Sequence, residues 1–260
     1  MRYDTNLLKK RLRESYITPY FLESVDSTND YARALLNGGR EGEFVIISEE
    51  QTAGKGRFNR KWVSQQGKGI WMSLVKNNIF GEQNFGLISL VASLSVFDSI
   101  YRLFNLKTEI KWPNDILYGG KKLCGILIEG FKKGEKISKF IIGIGVNIYH
   151  DQDDFPEYLK DSAVSLISIL NKNPVREKIV LSIVKEINSY FDLLKEDKED
   201  FIISRWKEHS ININKNVAVD TGKEIIKGKA VDINVEGSLM IKTKDRKLIA
   251  VNSGQIVEMS

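Results

Sequence analysis

Residues 51–62 read QTAGKGRFNRKW, a composition suited to holding an anion: Lys55, Arg57, Arg60 and Lys61 are cations, Gly54 and Gly56 lie among them, and Trp62 closes the run. Glycine lets a backbone come close to a ligand and take a positive φ. An arginine fork grips phosphate or carboxylate oxygens in pairs, and an indole offers a π-face to a heterocycle. The set suits a nucleotide, although the same residue types also make ordinary solvated surface loops. It is not a Walker loop, because no Gly-Lys-Ser/Thr follows a glycine at the required spacing.

Other clusters place polar groups beside apolar runs: STN at 27–29, KWPND at 111–115, KKLCGILIE at 121–129 and GIGVN at 143–147. Ser27 and Asp30 fit a capping box that opens a helix. In KWPND, Pro113 stops a strand and Asn114-Asp115 favours a turn, which delivers polar side chains to a strand end. GIGVN lacks the third glycine of a dinucleotide fingerprint and sits in no strand–helix–strand unit, so its glycines are read as permitting close approach.

Positioning such groups takes a substantial core, and 260 residues with 42% hydrophobic content can supply one, with room for a small second domain. No apolar run is expected to reach the length of a bilayer crossing, and the N-terminus carries charges where a signal peptide needs an apolar stretch. A cytoplasmic protein without membrane contact is expected. Cys124 is the single cysteine and only His150 and His209 accompany it, which argues against a disulfide or a Cys/His metal site and for Cys124 in the core. A net charge of +5 and a pI near 9.0 permit an acidic partner without demanding one.

Periodicity supplies the elements. Leu7, Leu8 and Leu12 predict a short amphipathic helix over 4–15, followed by a strand over 20–25 and a helix ended by Gly38-Gly39. A strand over 44–48 feeds the basic loop and another over 69–75 leaves it. An apolar helix over 85–104 braces the sheet, and a hairpin about Gly119-Gly120 leads to strands over 121–131 and 140–148. Residues 150–162 read as an acidic mobile loop, and helices are expected over 162–171, 174–195 with Pro174 as the first helical residue, and 197–209. From Asn216, short alternating segments over 217–219, 228–233, 238–242, 248–251 and 256–258 predict a small β-barrel, with a boundary near residue 212.

Taken together and in this order, the five motifs resemble biotin protein ligases across roughly residues 20 to 260. That resemblance implies an α+β fold: a class II synthetase-like mixed β-sheet with packed helices over 1–212 (its first 19 residues an N-terminal helix), and an SH3-like barrel over 213–260. It implies a two-step reaction in which biotin's carboxylate attacks the α-phosphate of ATP to give biotinyl-5′-AMP, and a lysine of a biotin carboxyl carrier protein then takes the biotin. By the same resemblance, Ser27, Thr28, Asn29, Gln51, Gly54, Lys55, Gly56, Arg57, Lys122 and Gly125 belong to the biotin site. Arg57, Arg60, Trp62, Lys111, Asn114, Asp115 and Asn147 belong to the ATP site, Asp115 helps hold Mg2+, and Lys122 and Arg57 serve the chemistry. No protein nucleophile is implied.

The sequence departs from the usual family loop GRGRxGRxW at two places. Lys55 replaces an arginine, keeping the charge and losing the planar fork, and Asn59 replaces a glycine, where asparagine tolerates the left-handed conformation. Gln255 stands where the family often has glutamate. Too few residues precede the first strand for a helix-turn-helix reader, so no specific DNA binding is expected. The oligomeric state stays open between monomer and homodimer. The rival readings are a lipoate-type acyl-adenylate ligase and a nucleic-acid-binding module built on the basic loop and the barrel.

Overall fold

The computed structural model describes residues 3–79 and 85–260. Seven strands form one sheet: β1 (Thr18–Leu22), β2 (Phe44–Ser48), β3 (Gly69–Asn77), β4 (Glu109–Lys111), β5 (Asp115–Tyr118), β6 (Lys121–Lys133) and β7 (Lys136–Asn147). Their order is β1-β2-β3-β7-β6-β5-β4. Only β1 and β2 run parallel; the other pairs are antiparallel, so the sheet is mixed.

The near-continuous apolar strands follow from burial on both faces. In β2, Val45 and Ile47 enter the large core, while Phe44 and Ile46 join a smaller cluster with Ala32 and Leu36. Helices α1 (Thr5–Glu14), α3 (Phe85–Phe104) and α5 (Arg176–Lys195) contribute to the large core. On the opposite face α2 (Thr28–Asn37) packs against β2, β3 and β7. Along β7 and β6, Ile142, Ile144, Val146, Cys124 and Ile126 point into the large core, so Gly143, Gly145 and Gly125 between them face the other side. That partly uncovered strip of glycine-lined sheet is where a site can form.

Helix α3 differs from the expectation about apolar runs: it is long and apolar enough to cross a membrane, with a mean hydropathy of 1.5 in its most apolar window. Yet 78% of that window is buried inside the fold, because α5, β6 and the small α6 (Glu199–His209) surround it. Within this packing Tyr190 donates from its hydroxyl to Asp98 at 2.7 Å, and Arg205 Nε donates to the same hydroxyl oxygen at 2.9 Å, tying α3, α5 and α6 together. Burial without a partner would penalise these groups, and the triad satisfies them. At the other end of α5, Arg176 is 2% exposed and grips Glu49 with both terminal nitrogens, at 2.8 and 3.2 Å.

Pro174 lies outside α5, which begins at Arg176 with Val175 as its N-cap. Pro174 therefore ends the preceding turn rather than opening the helix. The expected helix over 162–171 shrinks to α4 (Leu166–Leu170), capped by Ser165. At α2 only the Ser27 half of the capping box is made, its hydroxyl accepting from the Asp30 amide. The 150–162 stretch contains two short 3₁₀ turns, pinned by Lys68 to Asp154 at 2.6 Å and by Gln65 to the Asp154 carbonyl at 2.9 Å.

After α6 the chain forms a five-stranded antiparallel sheet: β8 (Asn216–Asp220), β9 (Ile225–Ile233), β10 (Leu239–Lys242), β11 (Leu248–Val251) and β12 (Gln255–Met259), in the order β11-β10-β9-β8-β12. Its interior residues Val219, Ala230, Leu239 and Ile241 are continuous with the large core. Trp112 of KWPND joins the two units, donating from its backbone to Asn212 Oδ1 at 2.6 Å and from Nε1 to the Gly237 carbonyl at 3.3 Å.

Candidate active site

A cavity of about 420 Å³ opens over the glycine strip, within the size range of small-molecule sites. Its walls come from the 51–62 loop, the N-terminus of α2, KWPND, β6, β7, the 150–162 segment and residues 254–256 of the small sheet. Of the biotin- and ATP-site residues that the resemblance implies, Gly54 alone does not line it. A Cβ on Gly54 would come within 2.5 Å of the Trp62 carbonyl and 2.8 Å of Ser64 Oγ, so this glycine serves the closure of its own loop.

The wall at the start of α2 is a hydrogen-bonded lattice. Gln51 Oε1 accepts from the Thr28 amide at 2.8 Å, and Gln51 Nε2 donates to Ser64 Oγ at 2.8 Å. Ser73 Oγ sits 2.7 Å from Thr28 Oγ1 and 2.5 Å from Asn29 Oδ1, and Asn29 Nδ2 donates to Glu129 Oε2 at 2.7 Å. The amide of Asn29 is thereby spent inside the wall, and Asn29 holds the pocket rather than reaching into it. Ser64, Ser73 and Glu129 were missed from sequence. The signal was there for two of them: a serine inside WMSLV and a glutamate inside GILIEG are polar interruptions of strands buried on both faces.

Trp62 forms the middle of the cavity. Its ring lies where side chains on Gly125 and Gly145 would be, a Cβ on Gly145 coming within 2.4 Å of Nε1 and one on Gly125 within 2.8 Å of Cζ3. Gly125, expected in the biotin site, thus makes room for Trp62. Gly143 likewise makes room for Asn29. Trp71 meets the Trp62 ring edge-on at 6.5 Å, and behind it His150 stacks on Phe155 at 4.7 Å. Burial pushes the His150 imidazole down to about 4, with Asp154 opposing and Lys68 adding to the effect.

Opposite lies the charged end. Lys122 Nζ is 2.6 Å from Asp115 Oδ1 and 5.3 Å from the Trp62 ring centre, a cation held between a carboxylate and a π-face. Asn114 and Asn147 are scaffold on their donor side: Asn114 Nδ2 bonds the Ile126 carbonyl at 2.5 Å, and Asn147 Nδ2 bonds the carbonyls of Lys122 and Val164 at 3.3 and 3.2 Å. Lys111 and Arg60 line the cavity without an ion-pair partner among the described residues, which leaves their charge for a ligand. Lys55 is paired with Asp30 at 2.6 Å, so the cation that replaces the family arginine is partly neutralised locally.

Arg57 reaches across to the small sheet, its Nη2 donating to Ser253 Oγ at 2.6 Å and its Nη1 to the Gly254 carbonyl at 3.2 Å. Burial lowers the guanidinium from its ordinary value and the nearby Asp115 carboxylate opposes this. Phe58 and Asn59 both take the left-handed conformation, at φ 56° and 57°. Asn59 adopts it with little cost, as expected of a glycine replacement; for Phe58 it is a strained conformation.

Comparison with known proteins places this geometry. Residues 21–147 match the biotin/lipoate A/B protein ligase family and residues 213–257 match the biotin protein ligase C-terminal domain. The bifunctional ligase/repressor BirA of Bacillus spizizenii is 34% identical over 233 residues, covering 86% of this chain and 69% of that protein. The chain belongs to the biotin/lipoate A/B protein ligase family. A second relative in that family, the biotin–[acetyl-CoA-carboxylase] ligase of Mycobacterium tuberculosis, is 30% identical over 88% of this chain and 83% of its own length. Among solved structures, the biotin protein ligase of Aquifex aeolicus in complex with biotin and ATP superposes with a TM-score of 0.80 at 28% identity, covering 93% of this chain and 98% of that one. The mixed sheet and the appended five-stranded sheet are thus the ligase fold.

Proposed function

We propose that this protein is a biotin protein ligase that forms biotinyl-5′-AMP from biotin and ATP and passes the biotin to a lysine of a biotin carboxyl carrier protein. The observation that carries the reading is one cavity joining two unlike ends through Lys122. At the α2 end, Ser27 Oγ accepts from the Asp30 amide and keeps its own proton to donate, while Thr28 Oγ1 retains lone pairs; Gln51 Oε1 already accepts from the Thr28 amide and lies 3.0 Å from the Thr28 hydroxyl. One donor beside acceptors complements a cyclic urea, which has one carbonyl and two N–H groups. A ligand lacking those groups would leave the wall unpaired. Ser27, Thr28, Asn29, Gln51 and Gly125 then form or support the biotin half.

The cationic end suits a triphosphate. Arg57, Arg60 and Lys111 supply charge, Trp62 supplies a face for the nucleobase, and Asn114, Asp115 and Asn147 complete that half. A carboxylate and a polyphosphate repel each other, and a cation between them lowers the cost of bringing them together. Lys122 stands at the junction and takes that role. Once formed, the mixed anhydride is held from water by the 51–62 loop, with Arg57 fastened to Ser253 and Gly254.

Magnesium fits this donor set in one way. Among the described residues no three of His, Cys, Asp and Glu gather to hold a metal, but magnesium on a nucleotide needs only one or two protein carboxylates. Asp115 would hold it, and the ion would neutralise charge on the phosphates.

On this reading the protein is cytoplasmic and makes no sequence-specific DNA contact. In this chain α1 buries Leu8 and Leu12 against the fold, so only nonspecific, salt-sensitive affinity is expected in a gel shift. The function itself is tested by incubating the protein with ATP, magnesium and either biotin or lipoate and identifying the acyl-AMP by mass spectrometry. Biotinyl-AMP is expected; lipoyl-AMP alone would overturn the reading.

A further inference from the structure

Glu129 lies outside the cavity lining, on β6, yet it terminates the polar wall. Its carboxylate accepts from Asn29 Nδ2 at 2.7 Å and is paired with Arg33 Nη2 at 3.3 Å, while Arg33 Nη1 is fastened to the Gly130 carbonyl at 3.2 Å. Three hydrogen bonds join Glu129, Asn29, Ser73 and Thr28 into a chain, of which Asn29, Ser73 and Thr28 are 3%, 0% and 3% exposed. The middle of the chain is closed to water, while the Glu129 side chain at its outer end keeps 29% exposure and Thr28 at its inner end lines the cavity.

Proton counting fixes its direction. A carboxylate beside a guanidinium accepts only, so the Asn29 atom facing it is the NH2 group, and the Leu127 carbonyl 3.5 Å from the same nitrogen agrees. Asn29 Oδ1 therefore faces Ser73 and must accept the single Ser73 proton across 2.5 Å. Ser73 then has nothing to donate to Thr28. The Thr28 hydroxyl proton is taken up inside the wall, by Ser73 Oγ at 2.7 Å or Gln51 Oε1 at 3.0 Å, and Thr28 Oγ1 shows the cavity lone pairs only.

We infer that Glu129 is a positioning residue that orders the Glu129–Asn29–Ser73–Thr28 chain so that Thr28 presents an acceptor to a ureido N–H of the substrate. The inference rests on the biotin reading above and adds to it a determinant that does not touch the ligand. Replacing the carboxylate by an amide removes the fixed end: Asn29 can then reverse, donate to Ser73, and turn the Ser73 proton onto Thr28 Oγ1, so that Ser73 no longer takes the Thr28 proton and that proton is free to turn into the cavity, where it meets the ureido N–H as a second donor.

The test is steady-state adenylation by wild type, Glu129→Gln and Ser73→Ala, with biotin and with an analogue whose ureido nitrogens are methylated. For Glu129→Gln the KM for biotin should rise about ten-fold, with kcat and the KM for ATP unchanged. Its preference for biotin over the methylated analogue should narrow by a similar factor. Ser73→Ala, which breaks the same chain while leaving Glu129 and Arg33 paired, should do likewise. A wild-type KM and preference in Glu129→Gln would overturn the inference, and so would equal losses toward biotin, analogue and ATP, since those mark a general structural defect. Failure of the wild type itself to adenylate biotin would overturn the underlying reading, a result distinguishable from either.

Discussion

Arg57 Nη2 donates to Ser253 Oγ across 2.6 Å, so the centre of the basic loop is latched to a residue 196 positions later, in the turn before β12. A second bond from Nη1 to the Gly254 carbonyl at 3.2 Å makes the contact two-pronged. The loop bearing Trp62 is thereby closed against the cavity by the small sheet, and that sheet gains a function beyond its own stability. Arg57→Gly removes both prongs. The variant should release biotinyl-AMP early and label bystander lysines in a mixture of unrelated proteins, read by streptavidin blotting. Retention of the adenylate at the wild-type lifetime would show that the latch does not hold the lid.

Lys122 is the second test. It is partnered by Asp115 at 2.6 Å and lies over Trp62. Lys122→Ala removes a charge-assisted contact and leaves Asp115 to face the phosphates uncompensated. Pyrophosphate release should slow by about 10- to 100-fold or more, corresponding to the roughly 1.5–3 kcal/mol of such a contact. Lys122→Arg, which keeps the charge, should lose less. Wild-type kinetics in the alanine variant would remove this lysine from the mechanism.

Much of this site was legible before any coordinates. Periodicity located the long α3, the hairpin about Gly119-Gly120 and the five C-terminal strands, because each has strong alternation or helical spacing bounded by turn residues. The motif residues gather around one cavity because they sit at strand ends and loops that the sheet order brings together. What stayed hidden was of another kind. Ser73 and Glu129 act through the cavity-lining Thr28 and Asn29, to which they are hydrogen-bonded, and Ser253 meets Arg57 from the turn before β12, 196 positions away. Such contacts depend on tertiary register, which no local pattern encodes. Pro174 falls outside α5 because a proline near a helix start fits several positions, and the helix here begins at Arg176, which is buried and held by Glu49.

Gly145 tests the seat of Trp62. A methyl group there would press within 2.4 Å of the indole Nε1, closer than real contacts allow. Gly145→Ala should tilt the ring out of the cavity floor and misplace the nucleobase. The KM for ATP should rise by about 10-fold or more, since small misplacements at a reacting centre are costly, while biotin binding measured calorimetrically without ATP should change less. An unchanged KM for ATP would show that the ring position over β7 is immaterial to the nucleotide.

His150 gives the protein an acid-sensitive component of stability. It is 1% exposed, stacks on Phe155 and has no hydrogen-bond partner for Nδ1 among the described residues, and burial holds its pKa at about 4 against an ordinary 6.5. Above pH 6.5 the ring is neutral in folded and unfolded chains alike and its contribution is complete. As the pH falls from 6.5 toward 4, the unfolded chain binds a proton that the folded one refuses, so stability is lost; below about 4 both states are protonated and the loss levels off. The full swing is on the order of 3 kcal/mol. His150→Phe keeps the stacking ring and discards the titration, since no hydrogen bond to the ring is lost. In melting temperatures measured from pH 7.5 to 4, the variant-minus-wild-type difference should grow as the pH drops, the wild type falling more steeply between 6.5 and 4. Parallel curves over that window would mean that His150 is protonated in the folded protein as readily as in the unfolded chain.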